Sequence, residues 1–210
     1  MILIMPNTLK GKPMPTIGVD RYTFFPLTTD EIGEEPVYGE AVQLPGTVEI
    51  APTDAGQTDV FDADNGAYFN DSYVDSMGHE ITNADIPPEV DAMWRGLTLK
   101  NGLLEVSGDE TAPYFGVAWR IAKAGGGHRY VRYYKGTYGF ASSVGGKTKV
   151  SQGASEKQTS TATYTAAKRM SDGMTYAYID DNQLPDGVTK ATLEEKWFTD
   201  MSWTPEVTGV

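Results

Sequence analysis

The chain has 210 residues, a formal net charge of −12 and no cysteine. A negatively charged protein is poorly suited to binding duplex DNA, because neutralising phosphates requires a positive surface. Without cysteine there are no disulfides or thiolate metal sites, which fits assembly in a reducing cytosol. Residues 1–5 are apolar but too few for a signal peptide or a transmembrane helix, so we expect a soluble protein made in the cytoplasm.

The charges are sorted along the chain. Residues 22–94 contain sixteen Asp or Glu and no Lys or Arg. Residues 111–155 contain seven Lys or Arg and no Asp or Glu. Sorting of this kind indicates docking between oppositely charged surfaces, and a second copy of the chain is the partner that it favours.

In chain order, residues 1–16 are predicted to form a flexible arm, because three prolines there oppose regular structure. Residues 21–27 have the composition of a first strand. The acidic residues 28–58 are broken by Gly and Pro, and within them 37–44 and 47–51 are candidates for short strands.

Two short helices are predicted. The first begins near Asn83 or Asp85, has prolines in its first turn, and ends at Gly96. Its apolar residues have the spacing of one buried stripe: Val90, Met93, Trp94 and Leu97. The second is predicted to begin at Thr192, where a capping box starts, with Leu193 and Trp197 on one buried face.

Residues 112–140 are central to the predicted fold. Phe115, Val117 and Trp119 alternate with other residues at the two-residue period of a strand that has one buried face. Three glycines at 125–127 permit a chain reversal, and a segment rich in β-favouring aromatics follows. The pattern predicts a long β-hairpin.

Around this hairpin, residues 97–106 are predicted to form a strand, 141–160 a long mobile loop, and 161–167 and 174–179 the last strands. We therefore predict a mainly β chain with one β-sandwich or barrel-like domain over residues 17–204, one or two short flanking helices and long loops. The flexible N-terminal arm precedes this domain, and residues 205–210 form a C-terminal tail.

Candidate chemistry is weak in this sequence. Asp59, Asp62, Asp64, Asp71 and Asp75 could supply oxygen ligands for calcium, but their spacing does not match an EF-hand loop. A solvated acidic turn, in which Asn and Gly serve the turn itself, explains them better. We therefore expect no metal and no cofactor.

Catalysis is not favoured either. The two histidines, His79 and His128, lie in no known catalytic motif. The alternation of Arg, Tyr and Lys over residues 129–135 is that of a stacking platform for single-stranded nucleic acid. Packing of these aromatics and of the tryptophans in a core is the better explanation, given the net charge. We expect no enzyme activity.

Six segments carry a family resemblance. They are GVDRY at 18–22, ADN at 63–65, ADIPPEV at 84–90, APYFGVAW at 112–119, YYKG at 133–136 and EKWF at 195–198. Together and in this order they resemble the major tail protein, or tail tube protein, family of long non-contractile-tailed bacteriophages.

The resemblance implies a structural virion protein without an active site. Proteins of this family are β-sandwiches flanked by a helix, which close into hexameric rings and stack into the tube through which the genome is ejected. The implied partners are further copies of the chain, the tape measure, tail terminator and distal tail proteins, and double-stranded DNA that passes without specific binding. The implied location is the virion tail, assembled in the cytoplasm of the bacterial host.

With this resemblance, the sorted charges suggest the two sides of a contact between subunits. The basic side is predicted to consist of Arg120, Lys123, Arg129, Arg132, Lys135, Lys147 and Lys149. The acidic contact or lumen side is predicted to consist of Asp59, Asp62, Asp64, Asp71 and Asp75. Two other functions stay open, a carbohydrate- or receptor-binding β module and a jelly-roll hydrolase with a concave carboxylate pair.

Overall fold

A computed structural model describes residues 13–63, 65–139, 144–148 and 157–205. The described chain is mainly β, as predicted, with two short helices. The strands are β1 Thr16–Thr29, β2 Val37–Tyr38, β3 Val42–Gln43, β4 Thr47–Pro52, β5 Ala55–Ala63, β6 Gly66–Ser76, β7 Gly78–Asn83, β8 Leu99–Lys100, β9 Leu103–Leu104, β10 Phe115–Lys123, β11 His128–Tyr138, β12 Ser160–Ala166 and β13 Tyr176–Asp180. The helices are α1 Pro88–Arg95 and α2 Lys190–Trp197.

The main antiparallel sheet has the strand order β2-β1-β10-β11-β12-β7-β4, and β3 and β13 add to β1 and β11. The long strand β11 serves two neighbours, since residues 129–133 pair with β13 and residues 136–138 pair with β12. The last strand, β4, also lies close to β1. The sheet therefore curls over on itself into a sandwich-like form that encloses a core.

Two apolar cores lie on opposite faces of the β10–β11 hairpin. The inner core, inside the curl, consists of Tyr22, Phe24, Leu44, Ile81, Ile86, Trp94, Phe115, Val117, Trp119, Val131, Tyr133, Tyr138, Ala162 and Tyr164. The outer core, which α2 covers, consists of Phe25, Ala118, Tyr130, Tyr134, Leu193, Trp197, Phe198 and Met201. The central hairpin is thus packed on both sides.

The predicted hairpin is confirmed, but the prediction that it buries one face is wrong. Phe115, Val117 and Trp119 point into the inner core. Ala118, which lies between Val117 and Trp119, points into the outer core. A side chain at Gly116 would meet the ring of Tyr38, so the backbone itself is closely packed there. The second face is buried because α2 and the chain after it fold back over the sheet.

Both predicted helices are present, but three details of the predictions are wrong. Helix α1 begins at Pro88, with Pro87 and neither Asn83 nor Asp85 at its N-cap and no side-chain cap. Gly96 ends α1 in the left-handed conformation, with φ of 69°, as the sequence predicts. Met93 is exposed rather than buried, and α1 is held mainly by Trp94, whose ring stacks on Tyr138 at a centroid distance of 3.9 Å. Helix α2 begins earlier than predicted, because Thr189 and not Thr192 caps it.

One strand prediction is wrong and one hairpin was not predicted. Residues 97–106 form the small hairpin β8–β9 instead of a single strand, because Asn101 and Gly102 both have positive φ and reverse the chain. Strands β5 and β6 form a separate two-stranded sheet that the sequence reading missed. The predicted arm, long loop and tail lie largely outside the described residues, although Thr16 and Ser160 belong to β1 and β12.

Candidate functional site

Three of the predicted docking cations are held in ion pairs within the chain. Arg120 binds both carboxylate oxygens of Asp20, at 2.9 and 2.7 Å, and Glu194 of α2 at 2.8 Å. Arg129 and Lys123 share the carboxylate of Asp180. The hydrogen bond from Arg129 lowers the pKa of Asp180 below its ordinary value. These cations fasten α2 and β13 to the central hairpin.

Two further predicted docking cations lie inside the protein. Arg132 is fully buried, and its guanidinium donates to the main-chain carbonyls of Met201 and Trp203 at 3.0 and 2.7 Å. Lys135 is 7% exposed and binds Asp30 at 2.7 Å. The placement of both residues on a docking surface is therefore wrong. The C-terminal chain covers Arg132, and Lys135 is covered where Asp30 follows β1.

The remaining predicted cations stay candidates for contact with a neighbour. Lys147 is exposed, and Lys149 lies outside the described residues. The main chain of Lys147 exchanges two hydrogen bonds with the side-chain amide of Gln158, at 2.7 and 2.9 Å. Other exposed lysines, which the charge pattern does not indicate, are Lys100, Lys157, Lys168, Lys190 and Lys196.

The predicted acidic residues lie on the hairpin formed by β5 and β6, which we call the ribbon. Asp59, Asp71 and Asp75 are exposed, and the register places Asp59 directly opposite Asp71. The side chain of Asp62 and the whole of Asp64 lie outside the described residues. Like charges on facing positions destabilise a strand pair, so the ribbon carries an electrostatic strain that a nearby cation would relieve.

The ribbon also exposes large apolar side chains. Tyr68 is 74% and Phe69 61% exposed, and Val60 and Val74 are each more than half exposed. In the described chain, β5 and β6 form a two-stranded sheet of their own. Thr58 and Ser72 join them further through a hydroxyl pair at 3.0 Å. The ribbon therefore extends from the main sheet with both acidic and apolar groups facing solvent.

The two histidines lie in different surroundings. His79 is fully buried, bonds the hydroxyl of Tyr22 at 2.8 Å through Nε2, and is surrounded by the rings of Trp119, Tyr133 and Tyr164. Burial lowers its pKa to about 3. His128 lies 3.7 Å from Asp181 beside the hairpin turn. Among the described residues, no three acidic or histidine side chains are grouped to hold a metal ion.

The aromatics of residues 129–135 pack as the core interpretation predicts. Tyr130, Tyr133 and Tyr134 are buried, as are Trp94, Trp119 and Trp197. An aromatic feature that the sequence reading missed is a ladder of stacked rings, formed by Tyr22, Trp119, Tyr133, Tyr176 and Tyr178 at centroid distances between 5.4 and 6.4 Å. Its last two members are exposed on β13. The sequence signal for the exposed end of this ladder is the two-residue spacing of Tyr176 and Tyr178, which places both rings on one face of a strand.

No protein-family model matches the chain, and no curated protein matches it either. In the described part of the chain, neither helix has the length and apolar character needed to cross a bilayer. The fold and the surface therefore define a mainly β, sandwich-like chain from which an acidic and apolar ribbon projects.

Proposed function

We propose that this chain is a structural protein that assembles into stacked rings, hexameric as the resemblance implies, and forms the tail tube of a long non-contractile-tailed bacteriophage. The observation that carries the proposal is the ribbon. A two-stranded ribbon alone is marginally stable in water, and this one exposes Tyr68 and Phe69 at its far end. Contiguous exposed apolar groups of this kind mark sites of protein contact.

A second copy of the chain suits the ribbon both chemically and electrostatically. The facing carboxylates of Asp59 and Asp71 repel each other, and a lysine from a neighbour would reduce that repulsion. Exposed lysines such as Lys147, Lys157 and Lys168 lie on other parts of the surface. Contact between two different patches of one surface is head-to-tail, and its repetition gives rings or filaments.

We expect a ribbon variant to fold and to fail in assembly. In the double variant Tyr68→Ser and Phe69→Ser, two exposed rings are lost, so the free energy of unfolding changes by no more than about 0.5 kcal/mol per site. Each ring buried in a contact contributes about 1.5–3 kcal/mol. The concentration needed for assembly should therefore rise at least about 100-fold. Sedimentation and negative-stain microscopy of the purified protein measure this.

The matched control is Ile32→Ser, which removes an apolar side chain that is 81% exposed and lies on a loop outside the ribbon. We expect this variant to form rings or tubes at the same concentration as the unchanged protein. Tubes formed equally well by the ribbon variant would refute the role of the ribbon, and featureless particles from the unchanged protein would refute the tube itself.

The channel wall is expected to be acidic. DNA that passes through a tube must not adhere, and each phosphate neutralised by the wall would add salt-dependent affinity at every ring. Exposed carboxylates that no lysine of a neighbour pairs with, such as Asp75, are candidates to face the lumen. A structure of the assembled tube, with charge mapped against radius, tests this. A wall lined mainly by Lys147, Lys157 and Lys168 would contradict it.

A carbohydrate-binding module is the second candidate, and the exposed end of the aromatic ladder favours it. Tyr176 and Tyr178 present their rings to solvent, and the guanidinium of Arg129 lies 5.0 Å from the ring centre of Tyr178. Ligand sites commonly combine aromatic surfaces with a few polar groups. A monomeric protein that binds a glycan, and loses binding in the variant Tyr176→Ala with Tyr178→Ala, would favour the module over the tube.

A further inference from the structure

The ribbon and a pair of exposed lysines are attached at opposite ends of one strand pair. Strands β7 and β12 run antiparallel, with Thr165 opposite Gly78 at one end and Ser160 opposite Asn83 at the other. These two ends are about 17 Å apart along the strands. The ribbon joins β7 at the Gly78 end, because β6 stops at Ser76. The chain that enters β12 arrives at the Asn83 end.

The two lysines belong to the connection between β11 and β12, in residues 144–148 and 157–159, which we call the basic arms. Gln158 lies two residues before β12, and its side-chain amide exchanges two hydrogen bonds with the main chain of Lys147. These bonds hold Lys147 close to Lys157 at the Asn83 end. Both lysines are exposed, and neither amine forms an ion pair with a described residue.

The basic arms complement the ribbon in charge and in apolar surface. The ribbon has Asp59 opposite Asp71 and contains no Lys or Arg, whereas the basic arms contain two lysines and no Asp or Glu. Both also expose apolar side chains, at Phe69 on the ribbon and at Val144 on the arms. Each surface repels its own copy and attracts the other, so the charges favour contact between unlike surfaces.

We propose that the ribbon of one copy binds the basic arms of the next copy, with successive copies displaced along the direction of β7. Lysines of the arms then lie beside the facing carboxylates of the ribbon and reduce their repulsion. Because the two surfaces lie at opposite ends of β7 and β12, repetition of this contact extends the assembly in one direction. The inference rests on the proposed function, since it names the surfaces that meet where one ring stacks on the next.

Charge reversal on each surface of the full chain tests the contact. One variant carries Lys147→Glu and Lys157→Glu, and the other carries Asp59→Lys and Asp71→Lys. Each variant alone brings like charges together, so the concentration needed for assembly should rise at least about tenfold. An equimolar mixture should assemble like the unchanged protein, with the two variants alternating, because each ribbon then meets arms of opposite charge. Sedimentation and negative-stain microscopy measure assembly, and urea unfolding shows that each variant is folded.

The control variant, Lys190→Glu with Lys196→Glu, makes the same change of charge on α2 and should assemble like the unchanged protein. If either reversed variant assembles alone as well as the unchanged protein does, the contact is overturned and the proposed tube is not. A mixture that fails to assemble, or that stops at a closed dimer, would also overturn it, because copies displaced along β7 do not close. An unchanged protein that stays monomeric would refute the tube and the contact together.

Discussion

Replacing Arg132 by alanine should lower the free energy of unfolding by about 3–5 kcal/mol, because a buried charged donor is removed and its acceptors lose their partners. The guanidinium donates to the carbonyls of Trp197, Met201 and Trp203. It also lies 3.8 Å from the ring centre of Trp197. Burial lowers its pKa to about 10, so Arg132 stays charged at neutral pH.

The comparison variant is Arg129→Ala, three positions earlier on the same strand. Its side chain is 38% exposed and paired with Asp180, and exposed ion pairs contribute about 0.2–1 kcal/mol. Urea unfolding followed by tryptophan fluorescence measures both variants. Equal losses would contradict the assignment of Arg132 as the anchor of the C-terminal chain. Replacing both Arg129 and Arg132 by Glu is therefore expected to unfold the chain, in addition to any effect on contact with a neighbouring subunit.

Features that local chemistry decides were predictable from the sequence. The three glycines at 125–127 all have positive φ, and the strands on either side of them follow from their alternation and aromatic content. Gly96 ends α1 for the same local reason, because glycine adopts the left-handed conformation without strain. Leu193 and Trp197, four residues apart, share the buried face of α2 as predicted.

Features that depend on distant partners were not predictable. Arg132 reads as a surface cation because the carbonyls that bind it come from residues 65, 69 and 71 positions later. Lys135 likewise finds Asp30 across 105 positions. The ribbon was missed for a different reason. Its strands face solvent on both sides, so they lack the apolar alternation by which a half-buried strand is recognised.

The candidate site was predictable in part. The sequence predicts a turn in this acidic segment, and Asn65, with φ of 68°, lies between β5 and β6. The exposed tyrosines of β13 have a period of two but no charge, so charge patterning gives no signal for them. Sorting of charge along a chain therefore does not by itself distinguish cations that dock a neighbour from cations that hold the protomer together.

As the pH falls, His79 should destabilise the protein at a higher pH than the arginine-bound aspartates do. Burial lowers the pKa of His79 to about 3, from an ordinary value of 6.5. Between these values the unfolded chain takes up a proton that the folded chain does not, so stability falls as the pH falls from 6.5 towards 3. The full effect is about 5 kcal/mol, of which about 2 kcal/mol is expected between pH 7 and pH 5.

The aspartates that bind arginine act at lower pH. Hydrogen bonds from Arg120 and Arg129 lower the pKa values of Asp20 and Asp180 below 3.8. Their stabilising contribution is therefore complete above the ordinary pKa of 3.8 and is lost only as the pH falls below it. Between pH 7 and pH 5 these two aspartates therefore do not change the stability.

Substitution of the two histidines separates their contributions in that interval. His79→Phe loses the bond to Tyr22 but keeps an aromatic ring in the inner core, and its stability should be nearly independent of pH between 7 and 5. His128→Gln, at the half-exposed site beside Asp181, leaves His79 in place, so the loss of stability caused by His79 should remain. Urea unfolding at pH 7, 6 and 5 measures both. A His79→Phe protein that still loses about 2 kcal/mol on acidification would show that another group takes up the proton.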